Sequence, residues 1–297
     1  MKRDLLVLDC PEIRCPPVLL LVFKEALEAL ERRGYRLRMI DSIGDITENA
    51  LVFMGNFVKV EDPGSLLRKQ SDKAIYFGWY WQQWDTEGLQ FIYMYENVLS
   101  PTLLPDKVEV LKFMNARPNT CPLLLRANEP VENIGKLERV EEYDYCFMGG
   151  KMCTWLLPHG NEFRGSYHGT HNITEYLSYD HRREIYLKTR FALGFQTNDN
   201  ITNGHVSQRI FEGMAYGCVV LSNSMPAVEQ TEGIVEYVCS HEQVEEKMRY
   251  FLKHPEERRQ KQERGYEFVR KTGTNEYSIS KLLNTIKRVY GIDIDMD

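Results

Sequence analysis

Arg209 and Glu212 stand three residues apart in the run S-Q-R-I-F-E-G-M-A-Y-G, residues 207–217. In a helix that spacing puts both side chains on one face. A guanidinium presents a planar fork of donors that matches phosphate oxygens, and a carboxylate can accept hydrogen bonds from both hydroxyls of a ribose. Near a helix start, whose free N–H groups and partial positive charge suit an anion, the pair fits a nucleoside diphosphate. The same spacing also fits an ion pair between the two on a solvated helix face, and spacing alone leaves both readings open.

The surrounding residues say how such a pair would be held. Ser207 is placed to cap a helix over 208–216, and Gly217 to end it in a left-handed conformation. Ile210 occupies the position where a capping box would carry Glu or Gln. Ile210, Phe211, Met214 and Ala215 form the buried stripe. Before this helix comes F-A-L-G-F-Q-T (191–197), read as a strand, then a polar loop, and after it C-V-V-L-S (218–222), another strand. Upstream, 143–148 reads as a strand ending in a Gly149-Gly150-Lys151 turn. Glycines there let backbone N–H groups approach a phosphate closely, although a plain turn has the same composition.

The first part of the chain alternates strands and helices as an open α/β sheet does. Residues 5–8, 35–40, 50–54 and 73–79 read as strands, and 18–33 as a helix stopped by Gly34. No G-x-G-x-x-G accompanies them. Residues 115–140 are rich in Pro, Asn and Glu, which places a domain boundary near Glu138 and divides the chain into 1–137 and 138–297. Three charged helical patterns, 242–252, 255–270 and 276–290, close the chain, and the last is expected to cross back onto the first domain.

Composition narrows the partners. A net charge of -6 disfavours a protein that grips nucleic acid through its phosphates. The seven cysteines include no C-x-x-C pair and sit mostly in apolar runs, so they read as reduced core residues. The first apolar run ends at Asp9, too early for a secretory signal, and 16–23 falls far short of a membrane span. These features point to the cytoplasm, with no transmembrane segment, and leave peripheral membrane association and oligomeric state open.

The string S-Q-R-I-F-E-G-M-A-Y-G-C-V-V-L-S resembles the donor-binding block of GT-B glycosyltransferases, especially exostosin-like enzymes and the group 1-like spore-coat set, with its R-x-F-E core. Y-D-Y-C-F-M-G-G and E-F-R-G-S-Y-H-G extend a looser similarity over residues 143–229. The resemblance implies two Rossmann-like domains facing across a cleft, the first binding an acceptor and the second a nucleotide sugar. It implies that Glu212 binds the ribose and that Arg209 and Ser207 lie by the diphosphate. Asn203, Thr197, Gly150, Lys151 and Arg164 are further donor-side candidates by residue type, Arg164 fitting a plain surface arginine as well. UDP is the expected carrier and GDP the second, no metal or other cofactor is required, and a glycan or glycoconjugate hydroxyl is the acceptor. Many retaining members carry a second glutamate eight residues before the ribose-binding one, where this chain has Gly204. That departure favours inversion. An α-1,3-fucosyltransferase-like layout is also similar, but the Thr-Glu-Lys string of that group is absent.

An inverting transfer needs a base to deprotonate the acceptor hydroxyl. Asp9, Glu12, Asp85 and Glu87 all qualify by type, and the sequence does not choose among them. Trp79, Trp81 and Trp84 beside Asp85 and Glu87 have the flat faces and carboxylates that bind sugars, and equally the bulk of a core cluster. His159, His168 and His171 lack a recognised metal-ligand spacing. Two rivals stay open: a nucleotide-sugar epimerase or phosphorylase-like enzyme on the same fold, and a non-catalytic carbohydrate-binding protein.

Overall fold

The computed structural model describes residues 4–8, 31–40, 51–54, 75–79, 97–100, 121–122, 131–149, 151–168, 179–202 and 206–272, with helical positions at 277, 280 and 284. The chain divides into two compact units, Met1–Leu123 with Asn275–Asp297, and Leu124–Thr274. The second unit thus begins ahead of Glu138. The reason is helix α1 (Val131–Ile134), whose Ile134 is buried and whose following Gly135 lies against Tyr266.

In the first unit six parallel strands form one sheet in the order β2-β1-β3-β4-β5-β6. They are β1 (Asp4–Leu8), β2 (Arg36–Ile40), β3 (Leu51–Met54), β4 (Ile75–Trp79), β5 (Asn97–Ser100) and β6 (Cys121–Pro122). The first four fall on the apolar runs expected to be strands. Gly34 has φ 92° and turns the chain into β2, as a helix-stopping glycine does. Arg33 donates to Ser280 Oγ at 2.7 Å, tying the C-terminal segment to this unit.

The second unit is a five-stranded parallel sheet in the order β11-β10-β9-β7-β8. Its strands are β7 (Tyr143–Met148), β8 (Gly165–His168), β9 (Thr189–Leu193), β10 (Val219–Ser222) and β11 (Glu236–Tyr237). Its helices are α2 (Tyr179–Leu187), α3 (Asn198–Thr202), α4 (Gln208–Ala215), α5 (Met225–Gln230), α6 (His241–Lys253) and α7 (Pro255–Thr272), and a 3-10 turn spans Lys151–Leu156. Successive strand residues face opposite sides. Phe147, Phe191, Leu193, Val219 and Leu221 join Val244, Met248 and Phe251 of α6 in one core cluster. Their neighbours Cys146, Ala192 and Val220 are also buried, as are Ile210, Phe211 and Met214 of α4. A parallel sheet covered on both faces reads as a continuous apolar run, which is why β10 was legible as C-V-V-L-S.

Helix α4 stands where expected, with Tyr216 rather than a further helical residue at its end. Gly217 has φ 74°; its N–H donates to Met214 O and that of Cys218 to Gly213 O, the two bonds of a Schellman stop. Cys146, Cys153 and Cys218 are free and buried. Cys239 departs from the core expectation: it is exposed just after β11, and its N–H and thiol meet Gln243. Among the described residues no helix is long and apolar enough to cross a membrane.

Candidate functional site

The order of the second sheet reverses between β7 and β9, so a crevice opens there at the carboxyl ends of the strands, where open α/β sheets bind ligands. Arg209 spans that point. Its Nη1 donates to the carbonyl of Met148, the last residue of β7, at 2.6 Å. Its Nη2 donates to the carbonyl of Phe195, just past β9, at 3.2 Å, and its Nε to Ser207 Oγ at 3.1 Å. The guanidinium carbon sits 5.8 Å from the Phe147 ring centroid, and the ring in turn packs on Phe195. Burial pulls Arg209 below the ordinary guanidinium value, an effect partly offset by neighbouring groups including Glu212.

This arrangement explains two sequence features. Ser207 has the extended backbone of an N-cap but makes no side-chain cap bond, because its hydroxyl accepts from Arg209. Gly149 is required because a Cβ there would collide with Arg209 Nη1 and stand 2.7 Å from Phe147 Cζ. Its neighbour Gly150 lies outside the described residues. Lys151 opens the 3-10 turn, and its side chain is not described.

Glu212 is buried at 2 % exposure, and its partner is one the sequence reading missed. Arg182 of α2 forms an ion pair with Glu212 Oε2, and Tyr186 donates to the same oxygen at 3.3 Å. Thus Arg209 and Glu212, expected on one face, reach different neighbours: Arg209 the strand ends, Glu212 the helix α2. Burial pushes the Glu212 carboxyl up, against the pull of Arg182. Burial acts to lower Arg182 as well, but Glu212 and Tyr186 more than offset it and the net shift is upward. Burial also raises the Tyr186 hydroxyl well above its ordinary value, so it stays a neutral donor.

Residues 137–284 match the glycosyl transferase-like family model. The chain is a glycosyltransferase of the GT-B fold. The fold is shared with a structure of T4 phage β-glucosyltransferase, at a TM-score of 0.61 and 11% identity over 100% of both chains. A structure of a DNA-modifying β-glucosyltransferase, solved with and without uridine diphosphoglucose, aligns at 0.61 and 11% identity over 98% of this chain and 100% of the other. The T4 phage enzyme with UDP and Mn2+ aligns at 0.57 and 12% identity over 100% of both. At these identities the likeness speaks for the fold alone. No curated protein sequence matches the chain significantly.

Within this glycosyltransferase the remaining expected donor residues fall unevenly. Thr197 Oγ1 accepts from the N–H of Asn200 at 3.4 Å, so it starts α3 at the same sheet edge as Arg209. Arg164 falls elsewhere. It precedes β8 at the amino-terminal edge of the sheet, its N–H on Asp144 and its guanidinium 5.0 Å from the Tyr143 ring centroid. Arg209 lies at the opposite, carboxyl-terminal edge, and a strand rises about 3.3 Å per residue, so the structure does not bring Arg164 and Arg209 together. Asn203 lies outside the described residues. So do the base candidates Asp9, Glu12, Asp85 and Glu87 and the acceptor candidates Trp81 and Trp84; Trp79 ends β4, its side chain not described.

His168 lies at the carboxyl end of β8, 2.7 Å from Ser166 Oγ and edge-on to His181 of α2. Burial and His181 lower its pKa. His159 stacks on His241. His171 lies outside the described residues. Among the described residues no three His, Cys, Asp or Glu side chains converge as a metal site.

Proposed function

We propose that this glycosyltransferase moves a sugar from a UDP-sugar, or secondly a GDP-sugar, to a hydroxyl of a glycan or glycoconjugate. The observation that carries the reading is Arg209 bridging the ends of β7 and β9 at the start of α4. A guanidinium has five N–H donors. Among the described residues three are committed, to Met148 O, Phe195 O and Ser207 Oγ. The other two serve the diphosphate, held in place by bonds made before any donor arrives. As the bond from anomeric carbon to phosphate oxygen breaks, that preset cation takes up the developing charge. The N-terminus of α4 faces the same group.

Glu212 takes the ribose hydroxyls, its carboxylate positioned by Arg182 and Tyr186. The acceptor binds to the first domain, 1–137, with its hydroxyl deprotonated by one of Asp9, Glu12, Asp85 or Glu87. Gly204, in place of a second glutamate, favours inversion of the anomeric centre. Arg209 takes the charge-stabilising part, so the reaction needs no bound metal, and added Mn2+ or chelator leaves the rate unchanged. Buried free thiols at 146, 153 and 218 suit a reducing compartment and support the cytoplasm.

A thermal-shift panel of nucleotide sugars identifies the donor, since a ligand that binds only the folded chain raises its stability. With that donor, release of nucleoside diphosphate only when a glycan acceptor is present supports transfer. Interconversion of the donor alone would point to an epimerase, and an inert donor with glycan binding to a lectin-like protein.

A further inference from the structure

Gln196, 2 % exposed, follows β9 within the apolar run and has no part in the reading above. Its backbone is clamped by Asn223: the N–H donates to Asn223 Oδ1 at 2.8 Å, and the carbonyl accepts from Asn223 Nδ2 at 2.9 Å. Its side-chain oxygen accepts from the N–H of Ser207 at 3.1 Å. A backbone N–H can only donate, so this bond fixes the carboxamide with oxygen toward Ser207 and nitrogen away from it. That nitrogen, Nε2, is buried and has no hydrogen-bond partner among the described residues.

Native chains seldom leave a buried amide N–H unanswered, because it has lost water and gained nothing. The place where this one is left identifies what answers it. Ser207 gives its N–H to Gln196 and accepts Arg209 Nε on its hydroxyl, so the carboxamide and the guanidinium flank one residue at the start of α4. An orphan amide N–H, the two guanidinium N–H groups that Arg209 leaves uncommitted among the described residues and a helix N-terminus together form a set of hydrogen-bond donors. An anion with several oxygens would satisfy them all.

We propose that Gln196 is a donor-binding residue whose Nε2 donates to a phosphate oxygen of the nucleoside diphosphate, beside Arg209. This inference rests on the donor-site reading given above. The Asn223 clamp holds the backbone and the Ser207 bond holds the rotamer, so the carboxamide has a fixed orientation before binding.

Calorimetry with UDP, with GDP in parallel, and with uridine tests it on the wild-type chain, Gln196→Glu and Gln196→Met. Glutamate keeps an oxygen for the Ser207 N–H and removes the Nε2 donor; methionine keeps the length and removes both polar atoms. The expected result is a loss of about tenfold or more in diphosphate affinity for both variants, the size of one hydrogen bond to a charged group, with uridine affinity unchanged. Equal losses for UDP and uridine, or no loss for either, overturn the proposal. Should both variants melt before binding can be measured, a structure of the wild-type chain with UDP decides. A phosphate oxygen within about 3.2 Å of Nε2 supports the contact, and a water or no acceptor there overturns it. Failure of the wild-type chain to bind either diphosphate overturns the donor-site reading itself, and this inference with it; wild-type binding with indifferent variants overturns this inference alone.

Discussion

Replacing Gly149 with alanine should unseat Arg209 without altering any side chain expected to touch the donor. Gly149 is not among the glycines with positive φ, so alanine brings no backbone strain, only a methyl group. That methyl overlaps Arg209 Nη1 and stands 2.7 Å from Phe147 Cζ. The Phe147 ring is packed against Phe195, at 5.7 Å between centroids, and Tyr167, at 5.9 Å, so the arginine is the group that yields. What it gives up first is the 2.6 Å bond to Met148 O, a charge-assisted hydrogen bond worth about 1.5–3 kcal/mol. For a unit of this size that lowers Tm by roughly 3–12 °C. Diphosphate affinity should fall about tenfold or more, as the guanidinium leaves the crevice. A double-mutant cycle makes the test specific. If Gly149 acts through Arg209, Gly149→Ala adds nothing to UDP affinity once Arg209→Ala is present. Additive losses, or a Gly149→Ala protein that melts and binds like wild type, would refute the reasoning.

Other measurements check neighbouring parts of the account. Burial pushes Glu236 up, but hydrogen bonds from Lys247 and Lys261 more than offset it and hold its pKa below the ordinary 4.5. A lowered folded pKa gives stability that is present above the unfolded value and lost as pH falls through the folded one. Urea titrations should therefore show Glu236→Gln less stable than wild type at neutral pH, with the difference shrinking below about pH 4.5; a constant difference would contradict the assignment. Gly217→Ala, at φ 74°, should cost at least about 1–2 kcal/mol in thermal unfolding, since it forces an L-residue left-handed and presses on Arg139. Ser240→Ala removes the cap that accepts from Gln243 N–H at 3.4 Å. It should lower stability by about 1 kcal/mol and leave UDP affinity unchanged, because α6 packs on the sheet face away from α4.

Much of the second unit's architecture could be read from the sequence, and the reasons are local. The strand at 143–148, the strand at 219–222 and helix α4 are apolar runs punctuated by glycine or capped by serine, so neighbours along the chain define them. β6 and β11 span two residues each, too few to show a period, and exist only because a longer strand lies alongside. The strand expected over 191–197 instead begins at Thr189 and ends at Leu193. Its start is set by the buried Thr189, whose hydroxyl bonds back to Ile185, and its end by the Asn223 clamp on Gln196. Arg209 stood out because a cation near a helix start is a local pattern. Arg182 was not, since thirty positions separate it from Glu212 and α2 carries only a weak apolar stripe. Gln196 was hidden in the opposite way, as one polar letter in an otherwise apolar run.

The grip of Arg209 falls on backbone carbonyls, and that bears on how this enzyme can change over generations. Every residue type offers a carbonyl, so substitutions at Met148 or Phe195 that respect packing leave the acceptors in place. Three letters define the anchor: arginine at 209, a hydroxyl at 207, and a residue without Cβ at 149. Selection for a new sugar or acceptor can therefore rewrite the surroundings while the Arg209 anchor is inherited intact. Directed evolution of donor preference should accumulate its substitutions around those three positions and spare the three themselves.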